Sequence, residues 1–171
     1  NIETKKAIIK DARNGNFDLA HAKIMKSIDL MYNGSTFHGA VSENHLEVVK
    51  YLVDNLKDKN PKITAIGGTP LHYAAYSGRI DIVKYIISKV LDVNPKDNFG
   101  KTPLHYTARW GHLNVVKFIM DKVKNKSPKD NNRVTPLHVA AKFGQLNVFK
   151  YIIENVADKN PRDNNGKTPV D

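Results

Sequence analysis

The 171 residues are 40% hydrophobic and 26% charged, within the range of ordinary folded domains, and 27 basic against 17 acidic side chains leave a formal charge of +10. No apolar run approaches the roughly 18 to 20 residues that span a bilayer, and the opening stretch NIETKKAIIKDARNG lacks the apolar core of a secretory signal. With no cysteine, disulfides, thiol catalysis and thiolate metal sites are excluded, and the composition fits a reducing compartment, cytoplasmic or nuclear.

In chain order, residues 1–34 come first: Ala12, Gly15, Phe17, Asp18 and Leu19 match Ala75, Gly78, Ile80, Asp81 and Ile82 among polar Lys5, Lys6, Lys10 and Lys26. Residues 35–68 form an irregular unit that aligns with its successor through Phe37-His38, Ala40 and Leu46-Glu47-Val48-Val49-Lys50-Tyr51. Three regular units follow, at 69–101, 102–134 and 135–167, each opening on Thr-Pro-Leu-His at Thr69, Thr102 and Thr135. Residues 168–171, Thr-Pro-Val-Asp, open another. The same period carries Gly78, Gly111 and Gly144, Lys84, Lys117 and Lys150, Tyr85, Phe118 and Tyr151, and Pro95, Pro128 and Pro161.

Each regular unit predicts a helix, a turn and a second helix. Thr is a good N-cap and the Pro after it suits the first helical position. The short first helix ends at the glycine, where positive φ turns the chain back. Asn44 takes the glycine's place in the irregular unit, and Asn tolerates that conformation best among side chains. Second helices are predicted over Ile80 to Val90, Leu113 to Val123 and Leu146 to Val156, apolar at helical spacing with lysines on the solvated face. Turn-rich loops such as Lys96-Asp97-Asn98-Phe99-Gly100-Lys101 connect the units. Arg133 stands where Gly67, Gly100 and Gly166 occur, and a positive φ there would cost about 1 to 2 kcal/mol, so a distorted or more mobile loop is expected.

The 33-residue period with T-P-L-H-x-A, present at Thr69–Ala74 and Thr135–Ala140, resembles the ankyrin repeat family. That resemblance implies an all-α solenoid, an array of stacked helix-turn-helix units with projecting β-hairpin loops. It makes 1–34 a degenerate N-terminal capping repeat, 35–68 a degenerate repeat, and 168–171 the start of a truncated one. The start at Asn1 and the stop inside a new unit read as a piece of a longer protein. The family's Gly-Ala-Asp before the hairpin is replaced at one exit by Val123-Lys124-Asn125-Lys126-Ser127-Pro128, which leaves the path out of the second helix open.

Catalysis finds no footing in the motifs. His72, His105 and His138 recur with the period, and the resemblance gives them backbone hydrogen bonds near the hairpin. His21, His38 and His45 lack the spacing of a metal site, and Asp97, Asp130 and Asp163 recur as structural residues do. No phosphate loop, nucleophile elbow or dinucleotide fingerprint occurs. The segment reads as non-enzymatic, with no cofactor or metal. Its dispersed bases argue against specific nucleic-acid binding, the main alternative; a regulatory segment of a larger channel or enzyme is another. The family also includes substrates of asparaginyl hydroxylases, which Asn60, Asn94 and Asn160 resemble in position, although a Pro follows each.

The resemblance points to protein binding through a concave face of hairpin tips and first-helix ends. There the chain carries Tyr76, Arg109-Trp110 and Lys142-Phe143, with Phe99 and Lys101 on a neighbouring hairpin. Aromatics and arginine dominate interface energetics, so a monomeric chain binding a protein or peptide with apolar anchors flanked by acids is expected.

Overall fold

The computed structural model describes residues 35–171, and the expected cap at 1–34 lies outside them. Among the described residues eight helices form four antiparallel pairs: α1 (Ser35–Ser42) with α2 (Leu46–Asp54), α3 (Pro70–Ser77) with α4 (Ile80–Lys89), α5 (Pro103–Trp110) with α6 (Leu113–Lys122), and α7 (Pro136–Lys142) with α8 (Leu146–Asn155). First helices pack in one row, α1 on α3 on α5 on α7, and second helices in another, α2 on α4 on α6 on α8. A single apolar core runs between the rows, from Phe37 and Val41 through Leu71, Ile86, Leu104 and Ile119 to Leu137 and Ile152. Every pair therefore buries its apolar face against its neighbours, which makes stability a sum of pair and interface contributions.

The turn within each pair is as the sequence predicts: Gly78, Gly111 and Gly144 have φ of 68°, 73° and 67°, and Asn44 has 59°. The residue after the glycine locks the next layer. Arg79 Nη2 donates to Ser42 O at 2.8 Å, His112 Nε2 to Tyr76 O at 3.0 Å and Gln145 Nε2 to Arg109 O at 2.9 Å. Each bond satisfies a carbonyl left open at the preceding first helix's C-terminus.

The second helices α4, α6 and α8 leave through an extended residue, Val90, Val123 or Val156, with ψ of 149°, 141° and 149°, whereas α2 ends on Asn55 with ψ of -4°. No glycine is needed there, which explains how the chain dispenses with Gly-Ala-Asp. Lysines serve the helix ends instead: Lys59 Nζ reaches Val53 O, Asp54 O and Leu56 O, and Lys159 Nζ reaches Ile153 O. An ammonium at this pole also complements the helix dipole.

Of the lysines on the outer helix face, Lys84 and Lys117 are exposed and Lys50 is half-buried, yet all three have partners. Lys50, Lys84 and Lys117 each extend to the next pair and lie over Tyr85, Phe118 and Tyr151, at 5.7, 5.8 and 5.3 Å from the ring centres. Lys-aromatic recurrence is thus an inter-repeat cation–π ladder.

The loops between pairs, called fingers below, contain no strand among the described residues, and tight turns close them. In one, Asp97 N donates to Lys101 O at 2.9 Å and Asp97 Oδ1 accepts from Phe99 N and Lys101 N, both at 2.9 Å. The next repeats this with Asp130: its N donates to Val134 O, and its Oδ1 accepts from Asn132 N and Val134 N. Arg133 adopts φ 60° and makes the Arg133 N to Asp130 O bond that Gly100 makes to Asp97 O. The distortion expected of this finger is absent. Its carboxylate scaffold and the bonds to neighbouring fingers, Asn131 N to Phe99 O and Asn164 N to Asn132 O, over-determine the turn and hold Arg133 in the left-handed region.

Candidate functional site

Each regular pair begins with the same buried clamp. Thr69 N donates to His72 Nδ1 at 3.1 Å, Thr102 N to His105 Nδ1 at 3.0 Å and Thr135 N to His138 Nδ1 at 3.2 Å. Because Nδ1 accepts, the proton is on Nε2, which donates to the next finger: Lys101 O at 2.9 Å, Val134 O at 3.0 Å and Lys167 O at 3.1 Å. One ring thus caps a helix and ties it to the following finger. Burial pulls the His105 imidazole from its ordinary 6.5 down to about 4, and burial lowers His72 as well. Both are neutral structural groups. His38, at the corresponding place in the first pair, lies instead against the Tyr73 ring at 4.1 Å. Among the described residues no group of His, Cys, Asp or Glu could hold a metal ion.

The finger of Asp97 has an extra support. Tyr106 Oη donates to Asp97 Oδ2 at 2.6 Å, while Oδ1 takes the two finger amides. Burial and this carboxylate push the Tyr106 hydroxyl far above the usual phenol range. Phe99 and Lys101 are therefore held on a finger anchored to α5. The period puts Val139 where Tyr106 stands, so the Asp130 finger has no such bond.

On the first-helix row the sequence-predicted residues Tyr76, Arg109, Trp110, Lys142 and Phe143 come together in one strip. The Tyr76 and Trp110 rings meet edge to face at 5.3 Å. The Arg109 guanidinium lies 5.6 Å from the Trp110 ring centre and 4.5 Å from that of Phe143, so it fills the space between successive layers. Lys142 Nζ lies 6.0 Å from the Phe143 ring. Despite these contacts Tyr76, Trp110 and Phe143 keep 43%, 47% and 41% of their surface exposed. The rings pack on neighbouring first helices and leave one flank open.

Phe99 and Lys101 pair with each other, Nζ to ring centre 5.9 Å, and among the described residues no ring or cation contact joins them to that strip. One further aromatic extends it: Tyr73 stacks on Tyr76 at 5.8 Å, and the Tyr73 hydroxyl is 2.9 Å from Ser42 Oγ. Tyr73 was legible as the residue one helical turn before Tyr76. Ile66, exposed on the first finger, was legible one period before Phe99. Arg109 and Lys142 form no ion pair among the described residues.

Asn60 and Asn94 face the seam between successive exit loops: Asn60 Nδ2 donates to Asp92 O at 2.9 Å and Asn94 Nδ2 to Asn125 O at 3.1 Å. Their place in the period reflects this inter-loop bridge.

Comparison with protein families decides the affiliation. The family described as Ankyrin repeats (3 copies) matches residues 8–97 and 89–163, nearly the whole chain. The chain belongs to the ankyrin repeat family. Ankyrin repeats are in general protein–protein interaction modules and are typically non-enzymatic, which agrees with buried, structurally committed histidines and aspartates. No curated protein matches the chain significantly. Within this ankyrin array no helix among the described residues is long and apolar enough to cross a membrane.

Proposed function

We propose that this ankyrin array binds a protein or peptide on its concave face, through the strip of Tyr76, Arg109, Trp110, Lys142 and Phe143 with Phe99 and Lys101 on the adjoining finger. One observation carries the reading: aromatic rings and stacked cations run continuously across three repeats and stay open to solvent. Rings already held by neighbours lose little conformational freedom on binding, and a guanidinium stacked between rings presents its donors to a carboxylate. The fitting partner segment carries apolar anchors flanked by acids.

The test is selection of ligands from a random peptide library on the full chain, followed by calorimetry of the enriched sequence. Trp110→Ala weakens binding by about 2 kcal/mol, roughly thirtyfold. Arg109→Ala mainly slows association, and Lys117→Ala on the outer helices changes little. Normal binding by Trp110→Ala together with loss in Lys117→Ala moves the site to the outer helices and overturns the reading.

A further inference from the structure

Three of the four exit loops after the second helices share one plan. An acidic residue opens an Asx turn: Asp58 Oδ1, Asp92 Oδ1 and Asp158 Oδ1 accept from Asn60 N, Asn94 N and Asn160 N. The asparagine at the end of the turn then bridges to the next loop, as Asn60 does to Asp92 O and Asn94 to Asn125 O. Lys59 and Lys159 turn their ammonium groups onto the carbonyls of their own second helices.

The third loop departs from this plan at every one of these places. Asn125 replaces the aspartate: its Oδ1 still accepts from Ser127 N at 3.0 Å, so the turn survives without the negative charge. Ser127 replaces the bridging asparagine. Its hydroxyl is one bond shorter than a carboxamide, and no bond from it to Asp158 O exists among the described residues. Lys126 stands where Lys59 and Lys159 stand but makes no bond to the end of α6 among the described residues. Lys124 takes the place of Leu91 and Ala157, as Lys57 does in the first loop, so what sets the third loop apart is the uncharged Asn125 beside it.

The result is an opening between this loop and the next. A cavity of about 460 Å³ is lined by Lys124, Asn125, Lys126, Ser127 and Lys129 on one side and by 155–158 on the other. That volume lies within the roughly 300–1,000 Å³ usual for small-molecule sites. Three lysines line it, and among the described residues none of them is in an ion pair. Lys96 Nζ holds the Lys129 carbonyl at 3.1 Å, fixing the loop backbone. The one carboxylate in the lining, Asp158, is engaged by the Asn160 amide.

We propose that this notch is a binding site for a small oxyanionic ligand, one carrying phosphate or sulfate groups. The lysines would supply the charge, and the Ser127 hydroxyl and Asn125 carboxamide directed hydrogen bonds. The site is separate from the aromatic strip and does not depend on its function.

Amide NMR titration of the full chain with pyrophosphate, and in parallel with sulfate, tests it at constant ionic strength. One of the two anions shifts the amides of 124–127, Lys129 and 155–158 saturably below about 10 mM. Ser127→Asn is the decisive variant, because it changes no charge and restores the bridging side chain of the preceding loops. It weakens that binding at least about tenfold while unfolding no earlier than the native chain. Lys126→Ala, which cannot disturb the turn, weakens it as well, and Lys117→Ala leaves it unchanged. Equal affinity in the native chain and Ser127→Asn overturns the proposal. So do shifts spread over all lysine-bearing loops, no saturable shift with either anion, or a short DNA duplex that shifts the same amides equally in both proteins.

Discussion

Acidification from pH 7 to pH 5 will loosen the stack at His105, and the size of the effect follows from its burial. The ring accepts Thr102 N–H on Nδ1 and donates from Nε2 to Val134 O, so a second proton would have to displace the helix-capping bond inside the core. Its folded value of about 4 lies below the ordinary 6.5 of the unfolded chain. Protons therefore bind the unfolded chain first. The contribution is fully present above about pH 6.5 and is lost progressively as pH falls toward 4. At pH 5 the difference in proton binding amounts to about 2 kcal/mol, a large part of the roughly 5–15 kcal/mol that stabilises a typical domain. His72 is lowered by the same cause and adds in the same direction. Urea unfolding at the two pH values gives the total loss, and ring-proton NMR of the folded chain gives the His105 titration by itself. A folded-state midpoint near 6.5, or an unchanged urea midpoint between pH 7 and pH 5, refutes the reasoning.

Gly111→Ala and Gly144→Ala impose the same left-handed strain of about 1–2 kcal/mol, but only the added methyl at Gly111 meets the Gln145 carboxamide that locks the layers. Denaturant midpoints will fall further for Gly111→Ala, and equal losses would mean that the carboxamide yields freely. Arg133→Gly relieves a positive φ and will stabilise the chain by about 0.5–1 kcal/mol; a lower melting temperature would show that the Arg133 side chain contributes more than the backbone strain removes. Tyr106→Phe leaves Asp97 Oδ2 without its hydroxyl donor and will cost about 1–2 kcal/mol, with faster hydrogen exchange at the Phe99 and Lys101 amides. Exchange unchanged at both amides would mean that the finger stands without α5.

What the amino-acid sequence determined by itself is the repeating unit. Thr-Pro starts, left-handed glycines and apolar spacing act within a few residues of one another, so helix ends and turns at 69–78, 102–111 and 135–144 were readable from local chemistry, and Asn44 could be recognised as a substitute glycine. What only the tertiary structure decided are the relations between residues about 29 to 37 positions apart in the chain. Lys84 was legible as a surface lysine, but its place over Phe118 depends on how two second helices stack. Arg133 was legible as a misfit, but the neighbouring fingers' backbone bonds, invisible in a linear string, hold it in the geometry of a glycine. Trp110 was legible as a candidate interface aromatic, while its edge on Tyr76 and the guanidinium between it and Phe143 arise only once successive first helices lie side by side. The substitution of Ser127 was plain in the sequence, whereas the gap it opens toward 155–158 needed the next loop in place. A solenoid divides its information in this way because each unit encodes its own turns, while every surface it presents is assembled from two neighbours at once.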